Sequence, residues 1–148
     1  RQSRTRRKEY SLNNEVIQME GTTANEVFDS FDSSFRDKEI IPDGLKLVWL
    51  KKAVARYSTE LEALEFDEEE MSFNTVINQY VIDTLAAFMK QMYQEREVSK
   101  VNKRVSIVSK DISIDGTGSQ KSAARNELEY DISKSAYMVQ MQKPTAYD

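Results

Sequence analysis

SFNTVINQYVIDTLAAFMKQMYQEREV, residues 72–98, is the stretch on which the fold turns. Phe73, Val76, Ile77, Tyr80, Val81, Leu85, Phe88, Met89, Met92 and Tyr93 recur within it at helical spacing, which places them on one broad face of a 3.6-residue helix. The pattern predicts a long helix over 72–98, capped by Ser72. Immediately upstream, seven of the eleven residues from Glu60 to Glu70 are acidic (Glu60, Glu62, Glu65, Asp67, Glu68, Glu69, Glu70). They repel one another and favour a solvated turn, and Asp67 to Glu70 stand where a helix N-terminus welcomes negative charge.

Before that turn, Leu47, Leu50, Val54, Tyr57, Leu61 and Leu64 step by threes and fours in an unbroken stripe. Pro42 and Asp43 suit the start of this helix, whose length of about 20 residues spans about 30 Å. Leu45, Val48, Trp49 and Ala53 form a second apolar strip beside the first, as in a central helix or one that also meets another subunit. Earlier still, Thr22-Thr23 reads as an N-cap, and Ala24, Val27, Phe28, Phe31 and Phe35 share a face of a short helix over 23–36. Residues 1–21 lack a useful apolar period and read as an extended arm.

Downstream the period changes to alternation. Val105 and Ile107, then Ile112 and Ile114, predict two short strands over 104–108 and 111–115. Ser109-Lys110 lacks the usual Gly or Asn of a tight turn, so a core hairpin and an extended excursion that pairs with a neighbouring chain both stand. Gly116 and Gly118 break the chain before a last helix over 119–142, with Ala124, Leu128, Ile132, Ala136 and Val139 on one face. The expected architecture is mainly α: a four-helix bundle-like domain over 22–142, with a short β hairpin or excursion between the third and fourth helices. An N-terminal arm precedes it and a tail, 143–148, follows.

Composition narrows the chemistry. The 148 residues include 39% hydrophobic and 31% charged, fitting one domain, with no apolar run of bilayer length and no secretory signal. The expectation is a soluble protein, intracellular when made, that does not enter a membrane. The chain opens at Arg1, not Met, which suits a processed start and an incomplete one equally. The absence of Cys and His removes disulfides, thiolate nucleophiles, the usual proton shuttle and the usual transition-metal ligands. No catalytic residue, metal site or cofactor is assigned, and a binding or structural role is expected over an enzyme.

Arg1, Arg4, Arg6, Arg7 and Lys8 carry five positive charges without an intervening acid; removing them from the net charge of −4 leaves −9 on residues 9–148. An acidic body does not coat nucleic acid, whereas such an arm reads as a contact for phosphates, a contact for an acidic protein surface, or a solvated tail. Gly116 to Ser122 resembles a phosphate loop but lacks the GxxxxGK[ST] spacing, and Glu60 to Glu70 lacks the DxDxDG pattern of a calcium loop. Tyr130, Tyr137, Met138 and Met141 lie off the stripe of the last helix and, with Arg104, Val105, Ile107, Ile112 and Ile114, form the expected partner interface.

The order of elements resembles the head-to-tail connector (adaptor) proteins of tailed bacteriophages. The residues carrying the likeness are a short opening helix, the helix from Ile41-Pro42-Asp43-Gly44-Leu45 to Leu50, and the long helix with Tyr80 to Tyr93. Arg104-Val105-Ser106-Ile107, Asp111-Ile112-Ser113-Ile114-Asp115 and a final helix entered through Ser119 to Ala124 complete it. The arm at 1–21 is longer and more basic than that pattern, and 142–148 matches nothing in it. The resemblance implies a dodecameric ring under the portal that extends the DNA channel and docks the next connector, stopper or tail protein. DNA would pass without sequence-specific binding, and the protein would reside at the head-tail junction of the virion after synthesis in the host cytoplasm. The alternative from another class is a small helical nucleic-acid-binding regulator that uses its basic arm.

Overall fold

The computed structural model describes residues 21–108 and 117–144, with side chains described for 21–104 and 121–144. Four helices form: α1 (Ala24–Ser33), α2 (Asp43–Glu60), α3 (Gln79–Val108) and α4 (Thr117–Gln142). A two-stranded antiparallel hairpin, β1 (Phe66–Asp67) and β2 (Ser72–Phe73), lies between α2 and α3. The mainly helical bundle is as expected, but this hairpin is in a different connection from the expected one.

Helix α1 starts where a cap is available: the Glu26 carboxylate accepts the Thr23 N–H at 2.7 Å, half of a capping box. Its buried residues Ala24, Val27, Phe28 and Phe31 follow the three-and-four step and face α2 and α3. Helix α2 begins beside Pro42, whose carbonyl accepts the Leu45 and Lys46 amides, and buries Trp49, Leu50, Ala53, Val54 and Tyr57. It ends at Glu60, so Leu61 and Leu64, expected on its stripe, lie beyond the helix and pack partly buried at the edge of the core. Val48, expected in the second strip, is exposed.

The acidic segment is the solvated turn expected, its seven acids all exposed, with a short hairpin built into it. Asp67 Oδ1 accepts the Glu69 amide at 2.9 Å at the hairpin tip, and the Phe66 and Phe73 rings meet with centroids 5.1 Å apart. Met71 turns the chain back at φ 53°, a left-handed backbone that costs a non-glycine residue about 1 kcal/mol, and its carbonyl accepts the Ala24 amide at 2.8 Å.

Two boundaries of the long helix differ from the periodicity. It starts at Gln79, because the backbone of 72–77 pairs with residues 22–24 instead: Thr22 N–H donates to Thr75 O at 3.1 Å, Phe73 N–H to Thr22 O at 2.8 Å and Ile77 N–H to Thr22 Oγ1 at 2.9 Å. Phe73 and Ile77 are buried as expected, but Phe73 in β2 and Ile77 in the irregular backbone before α3, while Val76 is exposed. Asn78, not Ser72, is the cap, its Oδ1 accepting the Val81 amide at 2.9 Å. At the other end α3 runs to Val108, so the strand expected over 104–108 is helix. Extending an existing helix avoids the nucleation cost, and the small propensity penalty of Val105 and Ile107 does not stop it. The second expected strand, 111–115, lies outside the described residues.

The core joins α1, α2 and α3 around Phe31, Leu50, Leu85, Phe88 and Met89, with Phe31, Phe35, Trp49 and Tyr93 meeting edge to face at centroid distances of 4.8–6.4 Å. Helix α4 returns antiparallel along α3, bringing Gln142 to Thr84 and Ser135 to Ala87.

Candidate functional site

The seam between α3 and α4 is polar where a bundle is usually apolar. Thr84, Asp131 and Ser135 are buried in it, and Met138 and Val139 are the buried apolar residues α4 contributes. Gln142 ties three elements together: its Nε2 donates to Thr84 Oγ1 at 2.8 Å and to Met138 O at 3.0 Å, while its Oε1 accepts the Tyr57 hydroxyl at 2.7 Å. Ser135 Oγ donates to Ala87 O at 3.4 Å. The small residues Ala86 and Ala87 face this seam and let the backbones approach.

The inward-facing stripe of α4 is Ala124, Leu128, Asp131, Ser135, Met138 and Gln142, stepping by four and three alternately, with Asp131, Ser135 and Met138 buried and the others half-buried. The apolar series expected to be buried overlaps it in part: Val139 is buried as expected. Ala124 and Leu128 are half-buried, but Ile132 is 44% exposed and Ala136 is exposed. Each step of four overshoots a helical turn by about 40°, so three such steps rotate a series by about 120° out of the seam, whereas alternating four and three stays in phase. Met138, expected at the partner interface, is therefore buried.

Beside this seam a cavity of about 290 Å³ opens between α1, α3 and α4, lined by Ser30, Ser33, Ser34, Asp83, Ala86, Ala87, Lys90, Asp131, Lys134 and Met138. Asp131 is 2% exposed, and neither carboxylate oxygen has a hydrogen-bond partner. Burial pushes its pKa above the ordinary carboxylate value; Lys90 and Lys134 pull it down and Glu127 pushes it up. Across the cavity Asp83 Oδ1 accepts from Ser30 Oγ at 2.8 Å and from Gln79 Nε2 at 2.9 Å. Lys90 donates to Ser34 O at 3.0 Å and lies 4.8 Å from the Phe35 ring centroid. A wider groove of about 550 Å³ continues from Ser34 and Lys90 over Phe35, Tyr93, Val101 and Ala124.

The outer side of α4 presents Tyr130, Tyr137 and Met141, which are 62%, 63% and 60% exposed and recur at steps of seven and four on one stripe. Of the remaining expected contact residues, Arg104 is exposed towards the end of α3, and Val105 and Ile107 lie on α3 with their side chains outside the described residues. Ile112, Ile114 and the arm residues Arg1, Arg4, Arg6, Arg7 and Lys8 also lie outside them. The structure thus brings together Tyr130, Tyr137 and Met141 and separates Met138 from them.

Among the described residues no group of three His, Cys, Asp or Glu side chains could hold a metal ion, and no helix is long and apolar enough to cross a membrane. The cavity residues Ser30, Asp83 and Asp131 carried no motif. The available signal was the alternating step that runs through Asp131 and Ser135, obscured because a polar residue in a buried phase is read as exposed. No protein-family model matches the chain, and no curated protein or solved structure matches it either.

Proposed function

We propose that this chain is a structural, ring-forming subunit of a phage head-to-tail connector, joining its own copies, the portal and the next connector, stopper or tail protein. The observation that carries the proposal is the outer stripe of α4, where Tyr130, Tyr137 and Met141 stand exposed on a helix whose inner face mixes polar and apolar residues. Large aromatic and methionine side chains in one row are contact residues, and they favour a protein that completes its burial against partners. The order of four helices fits the resemblance; the hairpin between α2 and α3, and the helix at 104–108 where a β excursion was expected, depart from it. The acidic body suits a channel through which DNA slides without adhering.

The test is negative-stain imaging of portal rings from the corresponding phage with and without this chain. A further ring of density beneath the portal is the expected result. Its absence, with protein shown to be folded, overturns the proposal. Duplex binding that weakens with salt and is lost when Arg1, Arg4, Arg6, Arg7 and Lys8 are replaced by Gln would instead favour the nucleic-acid reading.

A further inference from the structure

A buried carboxylate without a donor is costly, and the cavity beside Asp131 has room for one. The lining is rich in acceptors. Ser33 Oγ and Ser34 Oγ spend their protons on Ser30 O and Phe31 O, at 3.0 and 2.6 Å, and so offer lone pairs. Asp83 already receives two donors on one oxygen, and Lys90 is directed to Ser34 O and the Phe35 ring. Asp131 is left with two acceptor oxygens, no hydrogen-bond partner and a wall on the cavity. An anion would meet this carboxylate unfavourably. A metal ion would find only the carboxylates of Asp83 and Asp131 there, and no three-ligand group exists among the described residues. The missing partner is a cation that supplies N–H donors.

We propose that the cavity between α1, α3 and α4 binds one organic cation, a guanidinium or a primary ammonium, with Asp131 as its counter-charge and the Ser33 and Ser34 hydroxyls as further acceptors. A guanidinium presents paired N–H donors that match both oxygens of one carboxylate. With a water molecule occupying roughly 30 Å³ of liquid, the cavity of about 290 Å³ holds that group and its remaining hydration. Lys90 and Lys134 both line the cavity and act on Asp131, adding positive charge that the bound cation must tolerate and that limits affinity. Two sources share this chemistry: a free small cation, and an arginine or lysine of the basic arm of this chain. The site does not depend on the ring proposal.

The experiment is a backbone-amide NMR titration of the full chain with methylguanidinium chloride near neutral pH, beside a matched sodium chloride titration. Saturable shifts centred on Ser30, Ser34, Ala87 and Asp131 are expected with the cation and not with sodium. In Asp131→Asn, whose folding is checked by its spectrum and melting midpoint, affinity should fall about tenfold or more, the scale of a charge-assisted hydrogen bond. The same titration on full-length protein with Arg1, Arg4, Arg6, Arg7 and Lys8 replaced by Gln separates the sources. Binding only in that variant identifies the arm as the resident cation, and equal binding in both chains identifies a free ligand. The proposal is overturned by no saturable shift in either chain, by shifts that persist in Asp131→Asn, or by binding that emerges only in Lys134→Gln, since the chain's own lysine would then fill the cavity.

Discussion

Two glycines should respond to the same substitution with opposite signs. A Cβ built on Gly21 would lie 1.7 Å from Phe73 O, 2.6 Å from Phe73 C and 2.8 Å from Thr75 O, all backbone atoms that cannot rotate away. Gly21→Ala must therefore push residue 21 away from the backbone of 73–75. The damage is bounded by what the segment holds: the two backbone bonds from Thr22 to Thr75 and Phe73, and the bond from Ile77 N–H to Thr22 Oγ1. At about 0.5–1 kcal/mol for each of the two backbone bonds, plus about 1–2 for the buried Ile77 amide left without a partner, the expected loss is about 2–4 kcal/mol. Urea unfolding at a slope of about 2 kcal/mol/M would then move the midpoint down by about 1–2 M. At Gly44, in the first turn of α2, a new Cβ meets nothing within 4 Å. Gly44→Ala should raise stability by up to about 1 kcal/mol, because alanine loses less backbone entropy on forming a helix. A midpoint for Gly21→Ala within about 0.3 M of the parent chain, less than a fifth of a 2 M shift, would refute the close approach of 21 to 73 on which the α1 anchor rests.

Leu50→Ala, at a fully buried position, should cost about 2–5 kcal/mol in the same assay, and Leu61→Ala distinctly less, since Leu61 lies beyond α2 at the edge of the core; equal losses would restore Leu61 to the helix stripe. Asn78→Ala should cost about 0.5–2 kcal/mol through loss of the α3 cap, whereas Ser72→Ala, checked by thermal melting, should show no cap-sized loss. Burial holds the Asp131 pKa above its unfolded value, so in amine-free buffer its contribution is fully present below the ordinary carboxylate range and is lost as pH rises through the raised pKa. Asp32 is opposite in sign: burial raises its pKa, but hydrogen bonds from Lys46 and Lys38 outweigh that and hold it low, giving stability that disappears on acidification. The readout is therefore the difference between wild type and Asp131→Asn across the acid-to-neutral range, and a constant difference would contradict the buried, unpartnered acid. Tyr137→Ser combined with Met141→Ser should leave the melting midpoint near the parent value while impairing ring addition to portals; unimpaired addition would remove the α4 stripe from the interface.

What could be read from residues alone was the apolar periodicity, and it worked where one rule acted alone. Phe31, Leu50, Leu85 and Phe88 are buried where three-and-four spacing put them. It failed where a second requirement competed. Phe73 and Ile77 have helical spacing from Tyr80 and Val81, but their amides are taken by Thr22, a partner some 50 residues away whose role no local window reveals. Val105 and Ile107 alternate, but a sample of two apolar residues carries little weight against a helix already nucleated upstream. The cavity was illegible for a related reason: Ser30, Asp83 and Asp131 come from three helices, and only their packing assembles them.

Helix α4 has two faces with different tasks. Its inner face is attached by directional bonds at Thr84, Ala87 and Tyr57, which fix register along α3 more than they add stability. A slip of one residue would move Asp131 and Ser135 off the seam and bring neighbouring side chains onto it, leaving Thr84 and Gln142 without each other. Fixing register on the inside also fixes, on the outside, where Tyr130, Tyr137 and Met141 stand relative to the three-helix core. In the proposed ring that requirement would matter most, because a small error in the position of a contact row repeats at every interface and prevents closure. A purely apolar seam would hold α4 more tightly but tolerate sliding; the polar one exchanges some of that stability for a single position.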